Sequence, residues 1–169
     1  LVGIMAIGLT FVTLSGNFFL LSMKETAALC IIAFATGMAS GWGFELSFLF
    51  TMVFALIAGI SQGALIGIGG NPIVVTLGAA GVLYGLGAYW SDNLVVSYRR
   101  PHGAEWLGTG SFLGLPNITV AFILIAISAE LLLRKTSFGR QVYLIGANRA
   151  AGRATGHENF WMAIKVCTI

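Results

Sequence analysis

Charged residues are scarce in this chain. Only 9% of its 169 residues are Asp, Glu, Lys or Arg, whereas soluble domains usually carry about 25%. Apolar residues make up 57% of the sequence, and the mean hydropathy is +0.92. A soluble domain of this length has too little interior to hide so much apolar surface. The composition therefore excludes an ordinary soluble domain and indicates a membrane protein.

Cysteine is equally rare, and its placement excludes two further classes of site. Cys30 and Cys167 both lie in apolar stretches. They have no metal-ligand spacing, and two cysteines inside membrane spans do not make a disulfide framework. We interpret them as small hydrophobic residues, and we predict neither a metal site nor a cofactor.

The predicted spans also lack the groups that membrane catalysis or proton transport needs. The one aspartate, Asp92, and both histidines, His102 and His157, lie in predicted loops. A proton-driven carrier needs a titratable group deep in the membrane, and a hydrolase needs a nucleophile with a base or a metal cluster. Glu130 lies in a span, but an i,i+4 pair with Arg134 explains it. We therefore predict no catalytic residue and rank a membrane enzyme last.

What the chain does have is a 23-residue run without charge, Leu46 to Ile68. A run of this length and polarity crosses a bilayer as a helix. Small residues stand four apart within it, at Ala55, Gly59, Gly63 and Gly67. Residues with this spacing share one helix face and let a neighbouring backbone come close. Gly81 and Gly85 repeat the spacing in the next span, so we predict a packed bundle of helices.

The hydropathy pattern predicts an all-α transmembrane bundle of about five spans and the start of a sixth. Ser15, Gly16 and Asn17 interrupt the first span, and such a break needs protein or a cavity to satisfy the freed backbone groups. We expect a single transmembrane domain over 1–169 that is incomplete at both ends. The predicted spans are residues 1–21, 26–40, 46–68, 73–90 and 117–133, with a sixth from about residue 159.

Basic residues concentrate in one polar segment, residues 134–158, which marks a cytoplasmic loop by the positive-inside rule. This distribution also argues against a nucleic-acid partner. Asn148 is suited to begin a short helix there, and Gly156 is suited to end it. Such a helix along the membrane surface would give another protein a lever. The alternative is a plain basic loop that only fixes topology, and composition leaves both open.

Three segments resemble a known family in their order and spacing. They are Gly8–Gly16, Asn71–Gly78 with the pattern N-x-φ-φ-x-T-L-G, and Thr136–Arg140 followed by G-x-N-x-x-A-A from Gly146. Through them the chain resembles the membrane permease subunits of bacterial ATP-binding cassette (ABC) importers for simple sugars, of the ribose and autoinducer-2 type. Branched-chain amino-acid permeases are more distant relatives. The likeness covers nearly the whole chain.

The resemblance implies a subunit of the bacterial inner membrane that forms part of a translocation path and hydrolyses nothing itself. Its partners would be ATPase subunits, a second permease subunit, a periplasmic or lipid-anchored solute-binding protein and membrane lipid. The 134–158 segment would then be a coupling loop whose helix sits in a groove of the ATPase. The residues implied for that contact are Asn148, Arg149, Ala150, Ala151, Arg153 and Thr155.

One segment departs from the family pattern. After Ser15–Gly16 the sugar permeases usually continue with an Ile-Asp-Leu-Ser-Val-Gly-like string, and here the string begins with Asn17, Phe18 and Phe19 and lacks the acidic residue. These three residues are weak candidates for solute contacts, with a polar handle and a stacking face. The alternative is that the aromatic rings pack against neighbouring helices or lipid.

Two transport hypotheses follow. The first is the permease subunit of an ATP-driven importer for a sugar or similar small polar solute. The second is an ion-coupled secondary transporter, in which the broken first span and the glycine-rich turns would build a site at the membrane midplane.

Overall fold

The computed structural model describes residues 2–16, 20–96, 110–112, 115–147 and 159–168. Within these ranges the chain is helical apart from turns and one small hairpin, in which β1 and β2 pair antiparallel. The predicted all-α class is therefore confirmed for the described residues, apart from the two short strands. The elements in chain order are α1 Val2–Leu14, α2 Met23–Ala39, α3 Phe44–Gly67, α4 Pro72–Ser91, β1 Ser111–Phe112, β2 Leu115–Pro116, α5 Asn117–Lys135, α6 Ser137–Ala147 and α7 Asn159–Thr168.

Three of the described helices are long and apolar enough to cross a membrane: α3 with 24 residues, α4 with 20 and α5 with 19. Helix α1 is apolar but has 13 residues, and α2 has 17. A bilayer core needs about 20 helical residues. The described chain is thus a helical membrane protein, and the predicted count of about five spans stays a prediction.

The ends of α1 and α4 have clear local causes. Helix α1 ends at the predicted interruption, where Gly16 takes a left-handed φ of 77°, a conformation that costs glycine little. Helix α4 begins after Asn71, whose side-chain oxygen accepts a hydrogen bond of 3.0 Å from the Ile73 amide. Pro72 occupies the first helical position, where its missing N–H is not needed.

The buried apolar side chains form two clusters. The larger joins α1, α5, α6 and α7, and the smaller joins α2, α3 and α4 through Leu29, Ala58 and Leu83. Because most of the other large apolar residues stay exposed within the chain, lipid or further protein must cover them. The members of the larger cluster are Phe11, Val12, Leu133, Val142, Ile145, Met162 and Val166.

The glycine face of α3 packs against the backbone of α7 and joins the two clusters. A Cβ atom at Gly63 would lie 2.6 Å from the Cα atom of Ile164, and one at Gly59 would lie 2.5 Å from the carbonyl oxygen of Cys167. At Gly67 it would lie 2.9 Å from the Cα atom of Phe160. The contacts run in opposite order along the two helices, so α3 and α7 are antiparallel. Only glycine permits this approach.

The small residues predicted to pack in α4 have a different surrounding. No heavy atom of the described chain lies within 4 Å of a Cβ placed at Gly81 or Gly85. Ala55, at the head of the α3 series, is half-buried. The packing role of Gly81 and Gly85 therefore remains a prediction, with no partner among the described residues.

The predicted cytoplasmic segment 134–158 holds a helix that the sequence analysis missed. Helix α5 continues through Lys135, and α6 occupies Ser137–Ala147. Gly139, Val142 and Ile145 have helical spacing and are all buried, and this pattern is masked in the sequence by the basic residues around it. A loop across the whole segment is therefore wrong for its first half.

Replacing Gly63 with alanine tests the α3–α7 contact. The added methyl group would meet backbone atoms of α7, which cannot rotate away, so we expect the free energy of unfolding to fall by about 1–3 kcal/mol. The measurement is the apparent Tm of the purified full-length protein in detergent. Gly81→Ala is the matched control, because its methyl group meets no atom of the described residues. Equal Tm values for the two variants would contradict the packing.

Candidate functional site

The chain turns from α5 into α6 through a capped corner. The Thr136 hydroxyl accepts a hydrogen bond of 3.3 Å from the Gly139 amide, which satisfies one of the free N–H groups at the start of α6. The same hydroxyl donates to the Leu132 carbonyl at the end of α5. The Arg140 guanidinium donates to the Ser137 hydroxyl over 2.9 Å. The T-x-x-G-R motif thus builds the start of a helix.

Two glycines seat α6 against its neighbours. A Cβ at Gly139 would overlap the Leu133 carbonyl of α5, and one at Gly146 would overlap the Leu14 carbonyl at the end of α1. The Phe138 ring stacks on Phe11 of α1 with ring centroids 6.4 Å apart. Helix α6 is therefore fixed to the ends of two apolar helices.

Positive charge surrounds this corner. Arg134, Lys135 and Arg140 are exposed, and Arg134 forms an ion pair with Glu130 one turn earlier. An exposed pair of this kind contributes little to stability. The predicted i,i+4 pair is present. Lys135 and Arg140 add two further exposed positive charges at this corner.

The predicted coupling residues fall outside the described part of the chain. They are Asn148, Arg149, Ala150, Ala151, Arg153 and Thr155. The helix predicted over 149–155 also lies outside the described residues. The structure does place the helices on either side of this segment. Ala147 closes a helix seated on the end of α1, and α7 begins beside the end of α3.

The predicted solute contacts Asn17, Phe18 and Phe19 also lie outside the described residues. Among the described residues, an open groove of about 510 Å³ lies between α1 and α2. Its lining is apolar except for Lys24, so this groove has few hydrogen-bond partners to give a polar solute. Lys24 itself pairs with Glu25 over 3.5 Å.

Sequence reasoning missed a buried polar pair. The Ser22 hydroxyl donates a hydrogen bond to Oε1 of Gln62, and both residues are buried, at 0% and 3% exposure. The available signal was the single amide side chain, Gln62, in the uncharged run that became α3. It also missed Lys165, which is exposed on α7.

The described residues contain no group of three or more His, Cys, Asp or Glu side chains that could hold a metal ion. Asp, Glu, Lys and Arg residues lie in the first turn of α2 and α3 and in the last two turns of α5, and α4 contains none of these four residue types. The described residues therefore provide helix-packing surfaces and the basic corner between α5 and α6.

The sequence profile of the family described as "branched-chain amino acid transport system / permease component" matches residues 1–169. The chain belongs to this permease family. The predicted resemblance to sugar ABC permeases is confirmed by its relatives.

The similar curated proteins are import permeases. The chain is 34% identical to the autoinducer 2 import system permease protein LsrD of Klebsiella pneumoniae subsp. pneumoniae over 90% of its length and 47% of that protein. It is 32% identical to the ribose import permease protein RbsC of Bacillus subtilis, over 91% and 48% respectively. The chain thus spans about half the length of these relatives. No solved structure is a significant match.

Replacing Gly146 with alanine tests the seat of α6 in this permease. The methyl group would collide with the Leu14 carbonyl, so we expect α6 to shift and the free energy of unfolding to fall by about 1–3 kcal/mol. The apparent Tm of the detergent-purified protein measures it. Gly85→Ala, whose methyl group meets no described atom, should leave the Tm unchanged, and a similar drop in both variants would refute the contact.

Proposed function

We propose that the chain is part of the membrane-spanning permease subunit of an ABC importer. Family membership over residues 1–169 is the observation that carries this proposal. Relatives named as autoinducer-2 and ribose import permeases support a sugar or similar small polar solute. The subunit hydrolyses nothing itself, because its ATPase is a separate partner. A second permease subunit and a solute-binding protein complete the assembly in the bacterial inner membrane.

The segment 148–155 is the proposed contact with the ATPase. It continues directly from α6, and α6 is fixed by Gly139 and Gly146 to the ends of α5 and α1. On its other side the segment leads into α7, whose backbone packs on Gly59, Gly63 and Gly67 of α3. A push on this segment therefore bears on both apolar clusters, which is the requirement for coupling ATP hydrolysis to a change of the pore.

The solute path includes the α1–α2 connection in this proposal. Asn17, Phe18 and Phe19 supply an amide and two rings there, and an amide with an aromatic face suits a polar ring-shaped solute. The remaining proposed spans, beyond α3, α4 and α5, are contributed by α1, α2 and α7 together with neighbouring sequence.

The alternative, an ion-coupled carrier, predicts a different energy source. Reconstitute the full-length permease with its ATPase and binding protein in proteoliposomes, and measure uptake of ribose and autoinducer-2. We expect uptake to require internal ATP, to stop with vanadate and to persist when proton and sodium gradients are collapsed. Uptake that follows an ion gradient and ignores vanadate would favour the carrier.

Charge reversal at Arg153 and enlargement at Ala151 test the coupling contact. Arg153→Glu and Ala151→Trp should leave membrane insertion intact and lower ATP-dependent uptake about tenfold, the size of a typical coupling energy. Uptake and ATPase rate are measured on the same proteoliposomes. Arg100→Glu is the matched charge-reversal control, because Arg100 lies between the predicted spans 73–90 and 117–133, so that one crossing separates it from the predicted cytoplasmic segment 134–158. Normal uptake in both loop variants would refute the contact.

A further inference from the structure

The polar pair Ser22–Gln62 is unusual because it lies in an apolar bundle. Ser22 is fully buried, Gln62 is 3% exposed, and the serine hydroxyl donates to the amide oxygen. A buried polar group without a partner costs considerable free energy. The two side chains therefore depend on each other, across 40 positions of sequence.

The Ser22 hydroxyl makes this bond and does not cap α2. Ser22 is the residue before α2, where a serine hydroxyl usually accepts from a helix N–H, yet its side chain makes no such cap. Its carbonyl instead accepts from the amide and the hydroxyl of Thr26, at 2.8 and 2.9 Å. The Ser22 hydroxyl bonds to Gln62 and so links the start of α2 to α3.

Gln62 occupies the junction between three helices. Its neighbour Gly63 lies against α7, with a Cβ position 2.6 Å from the Cα atom of Ile164. Successive residues of a helix are turned by about 100°, so Gln62 faces α2 beside the face that meets α7. The α3 backbone at these two positions thus joins the helix that follows the basic segment to the start of α2.

We propose that Gln62 is a positioning residue for transport. Its bond to Ser22 fixes the register of α2 against the α3–α7 pair, so that a displacement of α7 also carries the start of α2. The bond is directional and buried, and it sets a position that apolar contacts alone leave free to slide. This inference rests on the proposed importer function.

A double-mutant cycle separates positioning from simple stability. Gln62→Met and Ser22→Ala each leave one polar group buried without its partner, so each should lower the Tm. The double variant replaces both partners with apolar groups, and stability should return close to that of the wild type. Ser47→Ala is the control, because Ser47 is equally buried on α3 and its hydroxyl has no described hydrogen-bond partner.

The decisive readout is solute transported per ATP hydrolysed, measured with the full reconstituted importer well below the lowest Tm of the set. We expect this ratio to fall about fivefold in the double variant, the factor that an ordinary hydrogen bond contributes. Ser22→Thr, which keeps the hydroxyl, should retain the wild-type ratio, and so should Ser47→Ala.

A double variant with both the wild-type Tm and the wild-type ratio would overturn the proposal, since the pair would then be structural only. A loss of ratio equal to that of Ser47→Ala would overturn it as well. Absence of ATP-dependent uptake in the wild-type assembly would instead refute the proposed importer function, so the two failures are distinguishable.

Discussion

Close contact between the backbones of α3 and α7 is the constraint on which the rest of this structure depends. Within lipid, helices gain little from hiding apolar side chains from one another, so they associate through close packing and hydrogen bonds. The α7 backbone approaches α3 closely because Gly59, Gly63 and Gly67 have no side chains. This contact joins the two apolar clusters, and it brings the helix after the basic segment against the longest span.

Polar groups reinforce the same arrangement at the helix ends. The capping side chains of Asn71 and Thr136 satisfy backbone N–H groups at the starts of α4 and α6. Ser22 and Gln62 satisfy each other at the start of α2. The two caps fix the points at which α4 and α6 begin, and the Ser22–Gln62 bond fixes the start of α2 against α3. Apolar packing cannot do this because it is not directional.

The sequence predicted the long helices well, because their apolar length and their breakers are local properties. Helix α4 was expected over 73–90 and runs over Pro72–Ser91. Helix α6 was missed because the basic residues around it dominated the interpretation of 134–158. The two-residue strands of the hairpin at 111–116 carried no periodicity from which to predict them. The residues proposed for coupling and for solute contact were chosen from family likeness, and they stay predictions.

By itself the sequence determined that this is a helical membrane protein of a permease family, since composition, span length and motif spacing need no knowledge of contacts. Only the tertiary structure decided which glycines serve packing. Gly63 and Gly81 have the same spacing signal, yet Gly63 meets the backbone of α7, whereas no described atom lies within 4 Å of a Cβ placed at Gly81. The partner of Gln62 was likewise decided by the fold. The sequence alone does not show which neighbour a helix face contacts, because that depends on how the helices pack.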